Sequence, residues 1–103
     1  MSSISKFFTT KFSTYRQEWT GDSSANVLQE TFYGWLEQGV ADIYQEYSKL
    51  EFSKAYTIIC PVGTDVSEGD RLTQGTDAYH VRFVIDRNKG SNPHLVVLAE
   101  KVI

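Results

Sequence analysis

The sequence contains little cysteine, proline and histidine, and no excess of positive charge. Its 103 residues include one Cys, two Pro and two His, with ten Lys and Arg against thirteen Asp and Glu. The single Cys60 excludes an internal disulfide, and His80 and His94 are too far apart for a short metal-ligand motif. A formal net charge of −3 gives no general attraction for nucleic acid or for an anionic membrane surface.

Long apolar runs and catalytic motifs are also missing. No segment approaches membrane-spanning length, and residues 1–8 lack the apolar core of a signal peptide. Neither a G-x-S-x-G nucleophile turn nor a glycine-rich phosphate loop occurs. A calcium loop from Asp65 fails because Asp70 replaces its sharp-turn glycine and Thr76 its bidentate glutamate. We therefore expect a non-enzymatic protein of the cytoplasm that has no cofactor, metal site or membrane partner.

The residues that are abundant favour strands. Six Tyr and six Phe fit a β-rich globular protein, and the length fits one domain over residues 1–103. Residues 1–11 are rich in Ser and Thr, which predicts a flexible N-terminal arm.

The central stretch, residues 55–85, gives the clearest strand signals. Tyr56, Ile58 and Cys60 alternate with other residues at the period of a pleated strand, and turn formers follow at 63–65 and 68–70. A second turn at 74–77 leads into a strand in which apolar residues alternate with polar ones, namely Tyr79, Val81, Phe83 and Ile85. These signals predict an antiparallel meander of three strands with Tyr79 and Phe83 on one apolar face.

The flanking segments extend the sheet. Residues 12–19 predict a strand with Phe12 and Arg16 on one side and Tyr15 and Trp19 on the other, joined through 20–24 to a strand within 26–33. Residues 94–103 are apolar on both faces, which is typical of a strand covered on both sides or tied into a barrel. We predict an all-β fold, a small antiparallel β-barrel or sandwich with long loops.

Residues 28–52 also allow a different interpretation. Leu36, Val40, Ile43, Tyr47 and Leu50 recur at helical spacing, so an α+β fold with a helix within 28–52 is the alternative. Gly34 and Gly39 each cost about 1 kcal/mol in a helix interior, and Thr31, Phe32 and Tyr33 favour a strand. We favour a strand from Gly39 to about Gln45, followed by a long polar connection.

Two sets of aromatic residues are candidates for contacts with other molecules. Tyr15, Trp19 and Trp35 have no clear place in a core, and exposed aromatics are enriched at protein interfaces. Tyr79 and Phe83, with Arg82 and Arg87, could instead form a stacking platform for single-stranded nucleic acid. The regular apolar stripe favours core packing for that second set.

Four segments in a fixed order resemble the head-tail joining proteins of long-tailed bacteriophages, and most of all their head-completion or stopper proteins. The segments are G-V-A-D-I at 39–43, A-Y-T-I-I-C-P at 55–61, D-V-S-E-G-D-R-L at 65–72 and D-A-Y-H-V-R-F-V at 77–84. The resemblance implies a structural virion protein assembled in the host cytoplasm as a ring of identical subunits at the head-tail interface.

The resemblance also implies partners and a working loop. Its partners would be the portal or adaptor proteins, and the tail tube or tail-completion proteins, close to packaged DNA. In that family the loop after the V-A-D-I-like strand closes the DNA channel, which here implicates Tyr44 to Lys54, with the polar and aromatic members Tyr44, Glu46, Tyr47, Lys49, Glu51 and Lys54. A tail-completion or tail-terminator protein and a β-barrel that binds single-stranded nucleic acid are the alternative functions.

Overall fold

The part of the chain that the structure describes forms six β-strands. A computed structural model describes residues 8–21, 23–39, 55–87, 89–90 and 93–102. The strands are β1 (Thr10–Thr20), β2 (Ser23–Gln38), β3 (Ala55–Cys60), β4 (Arg71–Gln74), β5 (Asp77–Arg87) and β6 (His94–Val102). The all-β prediction is confirmed, and β1 already begins within the segment predicted as a flexible N-terminal arm.

The strands close into an antiparallel barrel in the order β1-β2-β3-β6-β5-β4. The predicted three-strand meander is confirmed for the β4–β5 hairpin. It is wrong for its first strand, because β3 pairs with β2 and β6 and has no described ladder with β4. The connection of residues 61–70 does not reverse tightly. It crosses one end of the barrel and buries Val66 and Asp70 there. We call residues 61–70 the plug; its turn-forming residues do not form a hairpin.

Strand β6 is covered on both sides, as its sequence predicts. Leu95 through Ala99 are all buried. Leu95, Val97 and Ala99 join the main core with residues such as Phe12, Ile58 and Cys60, while Val96 and Leu98 pack with Ala55, Phe83 and Ile85 in a second cluster. The position of β6 between β3 and β5 pairs the backbone of both of its edges.

Strand β5 departs from simple alternation at Arg82. Val81 pairs with Ala99 and Phe83 with the adjacent Leu98, so Arg82 is the extra residue of a β-bulge. The bulge reverses which face each later residue occupies. Tyr79 and Val81 therefore belong to the main core and Phe83 to the second cluster, which corrects the single apolar face expected for this strand.

Strands β1 and β2 form a hairpin that is longer than the barrel wall. Strand β4 pairs with β1 only at 13–15, and β3 pairs with β2 only at 35–38. From the Arg16–Val27 pair to the Thr20–Ser23 pair, the backbone ladders described for the two strands are with each other alone. We call residues 16–27 the arm.

The helix predicted as an alternative within 28–52 is wrong over 28–38, where β2 continues as a strand. Gly34 permits close contact with β3, since a Cβ atom there would lie 2.7 Å from the Ile59 carbonyl oxygen. The expected strand from Gly39 to Gln45 has only its first residue in the described part, and Gly39 is a bend. Its N–H donates to the Ala55 carbonyl oxygen at 2.8 Å, so the positions before and after residues 40–54 are hydrogen-bonded neighbours.

Candidate functional site on the hairpin arm

The outer face of the hairpin gathers exposed aromatic and apolar side chains. Directly opposed residues of an antiparallel pair share a face, and faces alternate along each strand. Phe12 and Thr14 are buried, so their neighbours in the alternation face outward. The outward pairs include Lys11 with Tyr33, Tyr15 with Leu28, and Trp19 with Ser24.

This face is well exposed. Trp19 is 70% exposed, Leu28 52% and Tyr33 54%, while Tyr15 is half-buried. Trp35 lies on the same face of β2, opposite Ile59, and is also half-buried. The structure therefore brings the three predicted aromatics, Tyr15, Trp19 and Trp35, onto one face. Polar pairs such as Ser13 with Thr31 lie between these side chains. Exposed aromatics are enriched at protein interfaces, so the face is a candidate interaction site.

Sequence reasoning missed Leu28 and Tyr33 as members of this face. Tyr33 is two positions from Trp35, which is the signal of a shared strand face. Leu28 gives no such signal, because its register depends on a β-bulge. Thr14 pairs with Glu30 but Tyr15 pairs with Leu28, so Gln29 is the extra residue.

A shallow groove lies where the arm meets β4 and β5. One cavity of about 190 Å³ and another of about 260 Å³ share Asn26 and Arg71 in their linings. Tyr15 and Thr73 complete one of them, and His80, Val102 and residues 69–70 the other. Arg71 is the cross-strand neighbour of both Tyr15 and His80. Neither Arg71 nor His80 has an ion pair with any other described residue.

A buried carboxylate fixes the base of the arm. Asp70 is 1% exposed and accepts hydrogen bonds from Arg16 Nε at 2.9 Å, from Arg16 Nη2 at 3.0 Å and from Thr14 Oγ1 at 2.9 Å. The Ser67 backbone N–H donates to the same carboxylate at 2.9 Å. Sequence reasoning took Asp70 only for a turn residue, because no local pattern joins it to Arg16.

The same arginine joins three segments. Its Nη2 also donates to Asp65 Oδ1 at 3.0 Å and to Ser67 Oγ at 3.1 Å. Across the hairpin, Glu30 Oε1 accepts from the Asp65 backbone N–H at 3.0 Å. Both strands of the hairpin are thus tied to the plug of residues 61–70 at the point where the arm begins.

These contacts set the charge state of Asp70. Burial by itself would raise the pKa of this carboxyl, but hydrogen bonds from Arg16, the Ser67 N–H and Thr14, with the guanidinium charge, hold it below its ordinary value. The pKa of Arg16 is raised in turn, chiefly by its hydrogen bonds to Asp70 and Asp65. The pair is therefore ionised at neutral pH and forms a permanent clamp.

The described residues offer no metal centre, since no three His, Cys, Asp or Glu side chains cluster among them. They also include no helix with the length and apolar character that a membrane span requires. The loop residues implicated by resemblance, Tyr44 to Lys54, lie outside the described residues.

No protein-family model matches the chain, and no curated protein matches its sequence. The fold is similar to the solution structure of protein SF1141 from Shigella flexneri 2a, a structural genomics consortium target. The TM-score is 0.67 over 91% of this chain and 92% of that chain, at 11% sequence identity. At that identity the likeness concerns the fold alone.

Proposed function

We propose that the protein is a non-enzymatic component of a phage virion that joins the head to the tail and closes the DNA channel. In this role a ring of identical subunits lies between portal or adaptor proteins on one side and tail proteins on the other. The observation that carries the proposal is that the exposed arm and the junction of Gly39 with Ala55 lie at opposite ends of a closed barrel.

The strand register supports that placement. Strand β3 begins at Ala55 and ends at Cys60, and antiparallel β2 has its Gln38 end beside Tyr56. The arm continues β2 past the Cys60 end. The junction of Gly39 with Ala55, from which residues 40–54 depart, is at the other end. A protein that bridges two bodies needs contact surfaces arranged in this way.

The exposed outer face of the β1–β2 hairpin supports a role in binding proteins. The side chains of Trp19, Leu28 and Tyr33 expose apolar surface to water. Burial of aromatic side chains of this kind often contributes much of the binding energy at protein interfaces. The resemblance in residues 39–84 supplies the phage setting and the channel role of Tyr44 to Lys54. Burial of Tyr79 to 2% exposure removes it from a nucleic-acid stacking platform.

Two variants test the two halves of the proposal. Purified protein is added to portal-bearing, tailless phage heads, and retained DNA is measured by its resistance to nuclease. We expect the wild-type protein to protect the DNA. A variant with a short Gly-Ser linker in place of residues 44–54 should bind the heads but leave the DNA sensitive.

A Trp19→Ser variant should instead weaken joining to tails. Heads that lose DNA equally with and without the wild-type protein would refute channel closure. Heads that do not bind the protein at all would refute the assignment to the junction.

A further inference from the structure

The arm has two features that call for a partner. Residues 24–33 of β2 have no ladder on the side away from β1 within the described part of the chain. Such an open strand edge is normally protected by Lys or Pro, and this stretch contains neither. A two-stranded ribbon alone is marginally stable in water, so the arm gains from being covered.

Charge is divided unevenly between the arm and the barrel wall beside it. Residues 17–27 contain Glu18 and Asp22 and no Lys or Arg. The groove at the base of the arm contains Arg71 and His80, and its only carboxylate is Asp70, which is already paired with Arg16. Along the adjoining β5, Arg82 and Arg87 are balanced by Asp77 and Asp86, and Arg82 is paired with Glu100, so the positive charge of the groove comes from Arg71.

Glu18 does not contact the groove of its own chain. Tyr15 and Asn26, which line the groove, lie on the outer face of the hairpin. Glu18 pairs with Ala25 on the opposite face, where its Oε2 accepts from Gln29 Nε2 at 3.0 Å. The groove residues and the Glu18 carboxylate therefore do not meet within one chain, so each can bind a second molecule.

We infer that the arm tip of one copy, with Glu18 and Trp19, docks in the groove of a second copy formed by Tyr15, Asn26, Arg71 and His80. Glu18 would pair with Arg71 through charge-assisted hydrogen bonds. Tip and groove are different surfaces, so the contact is heterologous and can repeat around a ring. The inference deepens the proposed function and rests on its ring of subunits.

A pair of charge-reversal variants tests this contact. Glu18→Lys gives a copy whose arm and groove are both basic, and Arg71→Glu gives one in which both are acidic. Each variant alone should associate at least about tenfold more weakly than the wild type, because the docking charges repel. An equimolar mixture should recover association, because each arm then meets a groove of opposite charge.

Sedimentation velocity over a concentration series measures the association, and circular dichroism checks that both variants keep the strand signal. Glu37→Lys replaces an exposed carboxylate on β2 at the opposite end of the barrel. It is the matched control and should associate like the wild type.

Three results would overturn the inference. The first is a wild-type chain that stays monomeric up to about 1 mM, the weak end of specific affinities. The second is a mixture that associates no better than its components, and the third is an oligomer that neither reversal weakens. In the third case the ring of the proposed function would stand with a different interface.

Discussion

Arg16 and Asp70 form a bidentate ion pair that spans 54 positions of sequence, with Nε to Oδ1 at 2.9 Å and Nη2 to Oδ2 at 3.0 Å. One partner begins the projecting arm, and the other ends the plug that crosses the barrel. This pair, with the contacts of Arg16 to Asp65 and Ser67 and of Glu30 to Asp65, therefore ties the base of the arm to the barrel.

Replacing Arg16 should destabilise the fold more than replacing another paired arginine. Arg16→Ala leaves the buried Asp70 without its counter-charge, so the free energy of unfolding should fall by about 2–3 kcal/mol. Arg82 pairs with Glu100 at 3.3 Å but is 41% exposed, and Arg82→Ala should cost less than about 1 kcal/mol. Urea denaturation measures both, and equal losses would contradict the role assigned to Asp70.

The clamp should make the protein sensitive to acid. Because the folded pKa of Asp70 lies below the unfolded value of about 3.9, its contribution to stability is full above that value. The contribution is lost as the pH falls below about 4 and through the folded pKa. Asp70→Asn should be less stable at pH 7 but should lose less free energy of unfolding between pH 5 and pH 3. Parallel pH curves for the two proteins would refute this.

Deleting the bulge residue should be tolerated. Val81 and Phe83 already pair with the adjacent residues Ala99 and Leu98, so removing Arg82 keeps every later side chain on its present face. We expect a loss of about 1 kcal/mol, mainly from the ion pair with Glu100.

The matched control is deletion of His80, which forces either Tyr79 or Val81 out of the core. It should cost about 3 kcal/mol or more. Thermal unfolding followed by circular dichroism compares the two deletions. A His80 deletion as stable as the Arg82 deletion would show that the faces of β5 are not fixed as described.

Cys60 should be inert while the protein is folded. Burial raises the pKa of its thiol to about 12, and a hydrogen bond with Thr64 opposes this only in part. At pH 8 the low thiolate fraction alone should slow alkylation by iodoacetamide more than about a thousandfold. Intact mass measured with and without urea checks this, with Ser24→Cys as an exposed control. Rapid labelling of native Cys60 would contradict the burial.

The sequence predicted the positions of the strands better than it predicted which strands pair in the sheet. The apolar residues on both faces of β6 and the alternation in β1 reflect burial, and burial can be predicted from the residue type at each position. The pairing of β3 with β6 was missed because turn formers at 63–70 suit both a tight hairpin and a plug across a barrel end. The bulge at Arg82 was hidden because Phe83, Val84 and Ile85 are apolar on either face.

The candidate site was partly predictable for the same reason. Tyr15, Trp19 and Trp35 were identified as aromatics without a core position, and alternation alone placed Tyr15 and Trp19 on one side. The groove and the clamp were not identified, because Arg71, His80 and Asp70 reach the hairpin only through barrel closure. Contacts between segments that are distant in sequence produce no periodic pattern, so they cannot be predicted from a single sequence.

The hydrogen bond from Gly39 to Ala55 has a consequence for how such a protein can diversify. Its 2.8 Å length places the two ends of residues 40–54 within reach of a very short turn. The distance between these two positions therefore does not depend on how many residues lie between them. Selection can change the length of that insert while the framework that carries it is inherited unchanged.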